Sequence, residues 1–98
     1  MTSTPSRTFR ANTGHVAERK IRDEAILLPI STAAGEIGTV YDLNTTATSI
    51  WEMARQGMPE EAIVDRIAAD HDAPRETVAT DVRDILDHLL KLRMLLPA

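Results

Sequence analysis

The hydrophobic spacing of this chain changes period once, at Asn44, and that change restricts the folds open to it. Before Asn44 the apolar residues form short runs of β type; after it they recur at intervals of three and four as far as Leu92. His15–Arg22 and Ala25–Ile30 flank Asp23-Glu24, a spacing that predicts a tight hairpin, with Ile26, Leu27 and Leu28 as its strongest apolar run before Pro29. Ser31–Gly38, with Gly35 and Gly38, reads as a loop. Thr39–Leu43 then alternates as a third strand, with Tyr41 and Leu43 on one face and Val40 and Asp42 on the other.

Asn44 is a suitable N-cap, because its side chain can accept from the free amides of a first helical turn. Ala47, Ile50, Trp51 and Ala54 give the first helix its buried face, and Gly57 ends it. Pro59, Glu60 and Glu61 open a second helix, whose stripe is Ile63, Val64, Ile67 and Ala68. The break His71-Asp72-Ala73-Pro74 leads into a third, from about Pro74 to about Arg93, with Val78, Val82, Ile85, Leu89 and Leu92 along one side and Leu86 and Leu90 widening it. The expected fold is α+β: a small three-stranded antiparallel sheet followed by three helices, winged helix-turn-helix-like.

A chain of 98 residues allows one domain with a small core and little spare apolar surface for a large substrate pocket, which argues against an enzyme. The absence of cysteine excludes disulfides, thiolate metal sites and thiol nucleophiles, and suits a cytoplasmic protein. One Phe, one Trp and one Tyr do not make a stacking platform for single-stranded nucleic acid. No apolar stretch is long enough to cross a membrane.

The charge is split. Residues 1–22 hold five basic residues against Glu18, whereas the rest of the chain holds six basic and fourteen acidic ones. Residues 1–14 are poor in apolar side chains and are expected to form a disordered basic arm that contacts an acidic partner, with the folded domain spanning 15–98.

Asp81, Asp84 and His88 share one face of the third helix, but a firm metal site needs ligands from a second element, and a solvated face explains the same spacing. His15 and His71 stand alone, with no nucleophile to activate, so no catalytic group, metal or cofactor is expected. Three short helices also suit a winged-helix DNA-binding regulator. The acidic second helix and the near-neutral third helix, however, would attract phosphates poorly.

From Leu43 onward the run Leu43-Asn44-Thr45-Thr46-Ala47-Thr48-Ser49-Ile50-Trp51-Glu52-Met53 resembles the LNxTGxxIWxL signature of PqqD-like proteins, peptide-recognition modules of pathways that modify ribosomally made peptides. The resemblance continues through Gly57, Glu61-Ala62-Ile63, Ile67-Ala68, the Asp72–Pro74 break, Asp81-Val82, Ile85-Leu86, Leu89 and Leu95-Leu96. Two positions depart from the pattern. Ala47 replaces a glycine, and Arg93-Met94 stands where a glycine often precedes the final leucines, which implies a less sharp helix end.

The resemblance implies a non-catalytic adaptor without cofactor that binds the leader of a precursor peptide by strand addition, and because an exposed strand edge can also pair with itself, a monomer or weak dimer is expected. It would present that peptide to a modifying enzyme, a radical S-adenosylmethionine protein as in pyrroloquinoline quinone biosynthesis or a lasso-type protease. The implied peptide-binding residues are Thr39, Val40, Tyr41, Asp42 and Leu43 on the strand, and Val82, Arg83, Leu86 and Leu90 on the third helix. Leu86 and Leu90 suit core packing equally well, and Trp51 is read as core.

Overall fold

The computed structural model describes residues 6–29 and 41–98. Five strands and three helices follow one another as β1 (Phe9–Ala11), β2 (Val16–Ile21), β3 (Glu24–Pro29), β4 (Tyr41–Asp42), α1 (Thr45–Arg55), α2 (Glu60–His71), α3 (Arg75–Lys91) and β5 (Leu95–Pro97). The antiparallel sheet β2-β3-β4 and the helices realise the expected α+β class. Thr39 and Val40 of the expected third strand lie outside the described residues.

The hairpin turns one residue earlier than the sequence suggests: Ile21 pairs with Glu24, so Arg22-Asp23 forms the connection. Arg22 has φ 58°, the left-handed conformation that tight two-residue hairpins require. This register turns Ala25 and Leu27, both fully buried, toward the helices. The side chain of Thr48, buried in α1, then locks helix to sheet: its Oγ1 accepts from the amide of Ala25 at 2.9 Å and donates to the carbonyl of Leu43 at 3.2 Å.

Residues 6–14 are not a free arm, which corrects the expected boundary at residue 15. Phe9–Ala11 pairs antiparallel with Leu95–Pro97, and Phe9 enters the core with 2% exposure beside Met94 and Leu95. The segment also completes α2, whose N-cap Pro59 offers no side-chain acceptor. The carbonyl of Arg7 accepts from the amide of Glu60 at 2.8 Å, and Ser6 Oγ accepts from that of Glu61 at 2.8 Å.

Arg7 Nε donates to Glu60 Oε1 and Arg7 Nη1 to Asp87 Oδ1, each at 2.8 Å, while its guanidinium lies 5.5 Å from the centroid of the Phe9 ring. Of the two basic side chains in this segment, Arg7 is thus engaged within the protein, whereas Arg10 is exposed and makes no ion pair with the described residues. The Arg7 hydrogen bonds hold the Glu60 carboxyl below its usual pKa, against the opposing effect of partial burial.

The helices form as their spacing predicts. Asn44 Oδ1 accepts from the amide of Ala47 at 2.8 Å, and Gly57, at φ 91°, follows the end of α1. Trp51 is a core residue at 2% exposure whose Nε1 donates to Glu18 Oε1 at 2.8 Å. In α3 the buried stripe is Val78, Val82, Leu86 and Leu89, so its centre lies nearer Leu86 than expected and leaves Ile85 and Leu92 half-buried.

The end of α3 is sharp without glycine: Arg93 takes φ 59°, and the amides of Arg93 and Met94 donate to the carbonyls of Leu90 and Leu89, each at 3.0 Å. Asn12 Nδ2 donates to the Arg93 carbonyl at 2.9 Å, joining this turn to the N-terminal segment.

Candidate functional site

The three-stranded sheet has two edges, β2 and β4, and the β4 edge is the one that meets α3. β4 pairs with β3 through Leu27↔Tyr41 and Ile26↔Asp42, and among the described residues no strand covers its other side. The amide of Leu43 donates to the Ala25 carbonyl at 2.9 Å, which sets the phase of the edge. Hydrogen-bonding groups alternate sides along an antiparallel strand, so Tyr41 and Leu43 address β3, and the N–H and C=O of Asp42 point outward. An edge with outward amide and carbonyl groups can accept an added strand.

The side chains alternate in the complementary sense. Leu43 is buried at 6% exposure and Asp42 is exposed on the outer face. Tyr41 is half-buried, and its ring lies 5.0 Å from that of His88 on α3, the two planes inclined at 54°. This contact identifies the flank of α3 that adjoins the edge. At about 100° per residue, Ile85 and Leu92 fall about 60° and 40° from His88 on the same side, between it and the buried stripe. The wall beside the edge is therefore Ile85, His88 and Leu92.

The four helix residues implied by the resemblance fall elsewhere. Val82 and Leu86 have no exposure and support the groove from beneath. Arg83 lies about 140° and Leu90 about 160° around the helix from His88, on the opposite flank. There Arg83 Nε approaches Glu60 Oε2 at 3.5 Å. Of the implied residues, then, Val82 and Leu86 lie in the core and Arg83 and Leu90 on the flank away from Tyr41. His88, whose spacing with Asp81 and Asp84 suggests a metal ligand in the sequence, instead meets the Tyr41 ring. Among the described residues no group of three His, Cys, Asp or Glu side chains is arranged to hold a metal ion.

A hollow continues from this wall toward the α2–α3 turn. It lies between Asn44 and Thr46 at the start of α1, His71 of α2, and Asp81, Asp84 and Ile85 of α3. A second, more polar hollow lies on the opposite flank between Arg7, Glu60, Arg75 and Arg83, where the ion pairs of Arg7 and Arg83 with Glu60 fill its base.

A small α+β domain with an open sheet edge lying against its last long helix is the class that this geometry defines. Residues 24–95 match the family model of coenzyme PQQ synthesis protein D (PqqD), and the chain belongs to that family. A solved structure described as "TbiB1 in Complex with the TbiA(beta) Leader Peptide" superposes with a TM-score of 0.75 at 32% identity, over 88% of this chain and 93% of that one. Another, "Lasso peptide synthetase B1 complexed with the leader peptide", also gives 0.75, at 20% identity over 91% and 98% of the two chains, and shares the fold. No curated protein matches the chain. No helix among the described residues is long and apolar enough to cross a membrane.

Proposed function

We propose that this chain is a non-catalytic adaptor of the cytoplasm that binds the leader of a ribosomally made precursor peptide and presents it to a modifying enzyme. The observation that carries the reading is the outward N–H and C=O of Asp42 on an edge facing the Ile85, His88 and Leu92 flank of α3. Backbone hydrogen bonds to the edge at Tyr41, Asp42 and Leu43 supply affinity. Side chains alternating along the added strand then meet Tyr41 and the α3 flank, which supplies selectivity.

Family membership and the likeness to a chain solved with a leader peptide support this reading. The adaptor works by raising effective concentration: a tethered peptide meets its enzyme as a near-intramolecular partner, with no chemistry required of the adaptor. The enzyme partner is a radical S-adenosylmethionine protein or a lasso-type protease, and co-purification with each separates the two.

The direct test is titration of the isotope-labelled chain with the leader encoded by an adjoining short open reading frame. Amide shifts centred on Tyr41–Leu43 and on Ile85, His88 and Leu92 are expected. No shift at β4, or shifts confined to α2 and α3 on adding duplex DNA, would favour a regulator instead.

A further inference from the structure

We infer that the hollow between α1, α2 and α3 is a second subsite for the same peptide, selective for a Lys or Arg next to an aliphatic residue. This rests on the strand-addition reading and goes beyond it by assigning the chemistry of the segment that leaves the strand. The hollow measures about 460 Å3, within the usual range for a ligand site. Its floor is aliphatic: Ile50, Ile67 and Val78 are buried at 1%, 5% and 5% exposure, and Ile85 is half-buried above them.

The hollow is continuous with the sheet edge. Asn44 lines it two residues after Asp42, and Asp84 and Ile85 line it one helical turn before His88, whose ring meets Tyr41. From Val78 to His88 the helix rises about 15 Å, a span that four or five extended residues cover. A peptide leaving the β4 edge in this direction runs directly over the aliphatic floor.

The charges on the rim specify the occupant. Asp81 and Asp84 are exposed there, and none of the eleven Lys and Arg side chains, all in described residues, comes within 4.0 Å of either. Four other carboxylates of α2 and α3 are engaged, Glu60 and Asp87 with Arg7, Asp65 with Arg75, and Asp70 with Arg66. Glu61 and Glu76, like Asp81 and Asp84, have no Lys or Arg within 4.0 Å but do not line the hollow. The remaining titratable group on the rim is His71. Two uncompensated carboxylates beside an aliphatic floor complement a side chain with an apolar stem and a cationic head, or a cation adjacent to an aliphatic anchor.

The test is selection of a random dodecapeptide phage library on the full chain and on the D81N/D84N double variant. Both positions are exposed, so the variant is expected to fold unchanged. Peptides selected on the native chain should be enriched in Lys or Arg within five residues of an aliphatic side chain. A representative synthetic peptide should bind the variant about fivefold more weakly at low ionic strength, and the difference should shrink as salt is added. Selection without basic enrichment, or equal enrichment on the variant, overturns the subsite. If such peptides still shift the Tyr41–Leu43 amides, strand addition survives that failure. If no selected peptide shifts them, both readings fall together.

Discussion

The two flanks of α3 carry similar side chains to opposite ends. On one, Glu60 and Asp87 are bound by Arg7, and Phe9 lies beneath the guanidinium; on the other, Asp81 and Asp84 have no Lys or Arg partner. The sheets differ in the same way. β1 and β5 zip the ends of the chain together, whereas β4 presents Asp42 outward. Charge and edge compensated within the chain serve stability, and those left uncompensated are available to a partner. Composition alone hides this, because both flanks contribute to one acidic body.

The contrast breaks first at Phe9. Phe9→Ala should lower unfolding free energy by about 3–5 kcal/mol in chemical denaturation, since it empties a core position at 2% exposure, while the folded fraction still binds peptide at β4. Asp42→Pro should do the reverse. It removes an outward donor and no ladder bond, so affinity for a leader peptide measured by calorimetry should fall about tenfold, with little change in melting temperature. On the same assay His88→Ala should weaken binding and Leu90→Ala should not, because they occupy opposite flanks.

Glu60→Gln should cost about 1 kcal/mol, a figure held down by the 40% exposure of its partner Arg7. The native carboxylate, with its pKa lowered by Arg7, adds stability above its unfolded value of about 4.3, and that contribution fades as pH falls through the lower folded value. Acid titration of the unfolding free energy should therefore be less steep below about pH 4 in the variant. The smallest expected change is a gain: Arg93→Gly should relieve the left-handed backbone at φ 59° and add about 0.5 kcal/mol to the unfolding free energy.

The helices were legible because each has a start signal, a stop and a stripe: Asn44 and Gly57 bracket α1, Pro59 and Pro74 precede α2 and α3, and the His71–Pro74 break separates those two. β1 was not, since a three-residue strand with one buried side chain has no period to read, and its partner β5 lies at the other end of the chain. Arg7 and Ser6 looked like a solvated tail for the same reason; the amides and carboxylate that hold them belong to α2 and α3.

Along β4 and its continuation, alternation gives the observed facing, with Tyr41 and Leu43 inward and Asp42 exposed. Along α3, adjacent apolar residues Ile85-Leu86 and Leu89-Leu90 permit two stripes one residue apart, and only packing decides between them. Leu86 is fully buried and Ile85 half-buried, which turns His88 and Leu92 toward the β4 edge and Arg83 and Leu90 away from it.

The pairing of Phe9 with Pro97 also sets how this fold can be joined to others. Opposed residues of an antiparallel ladder lie about 5 Å apart, so the two ends of the folded unit leave it side by side, at a seam away from the β4 edge. A unit of that shape can be spliced into a surface loop of a host protein, or rejoined with its ends elsewhere, without stretching either polypeptide. The seam that stabilises the domain thus makes it transferable between architectures while its recognition edge stays outward.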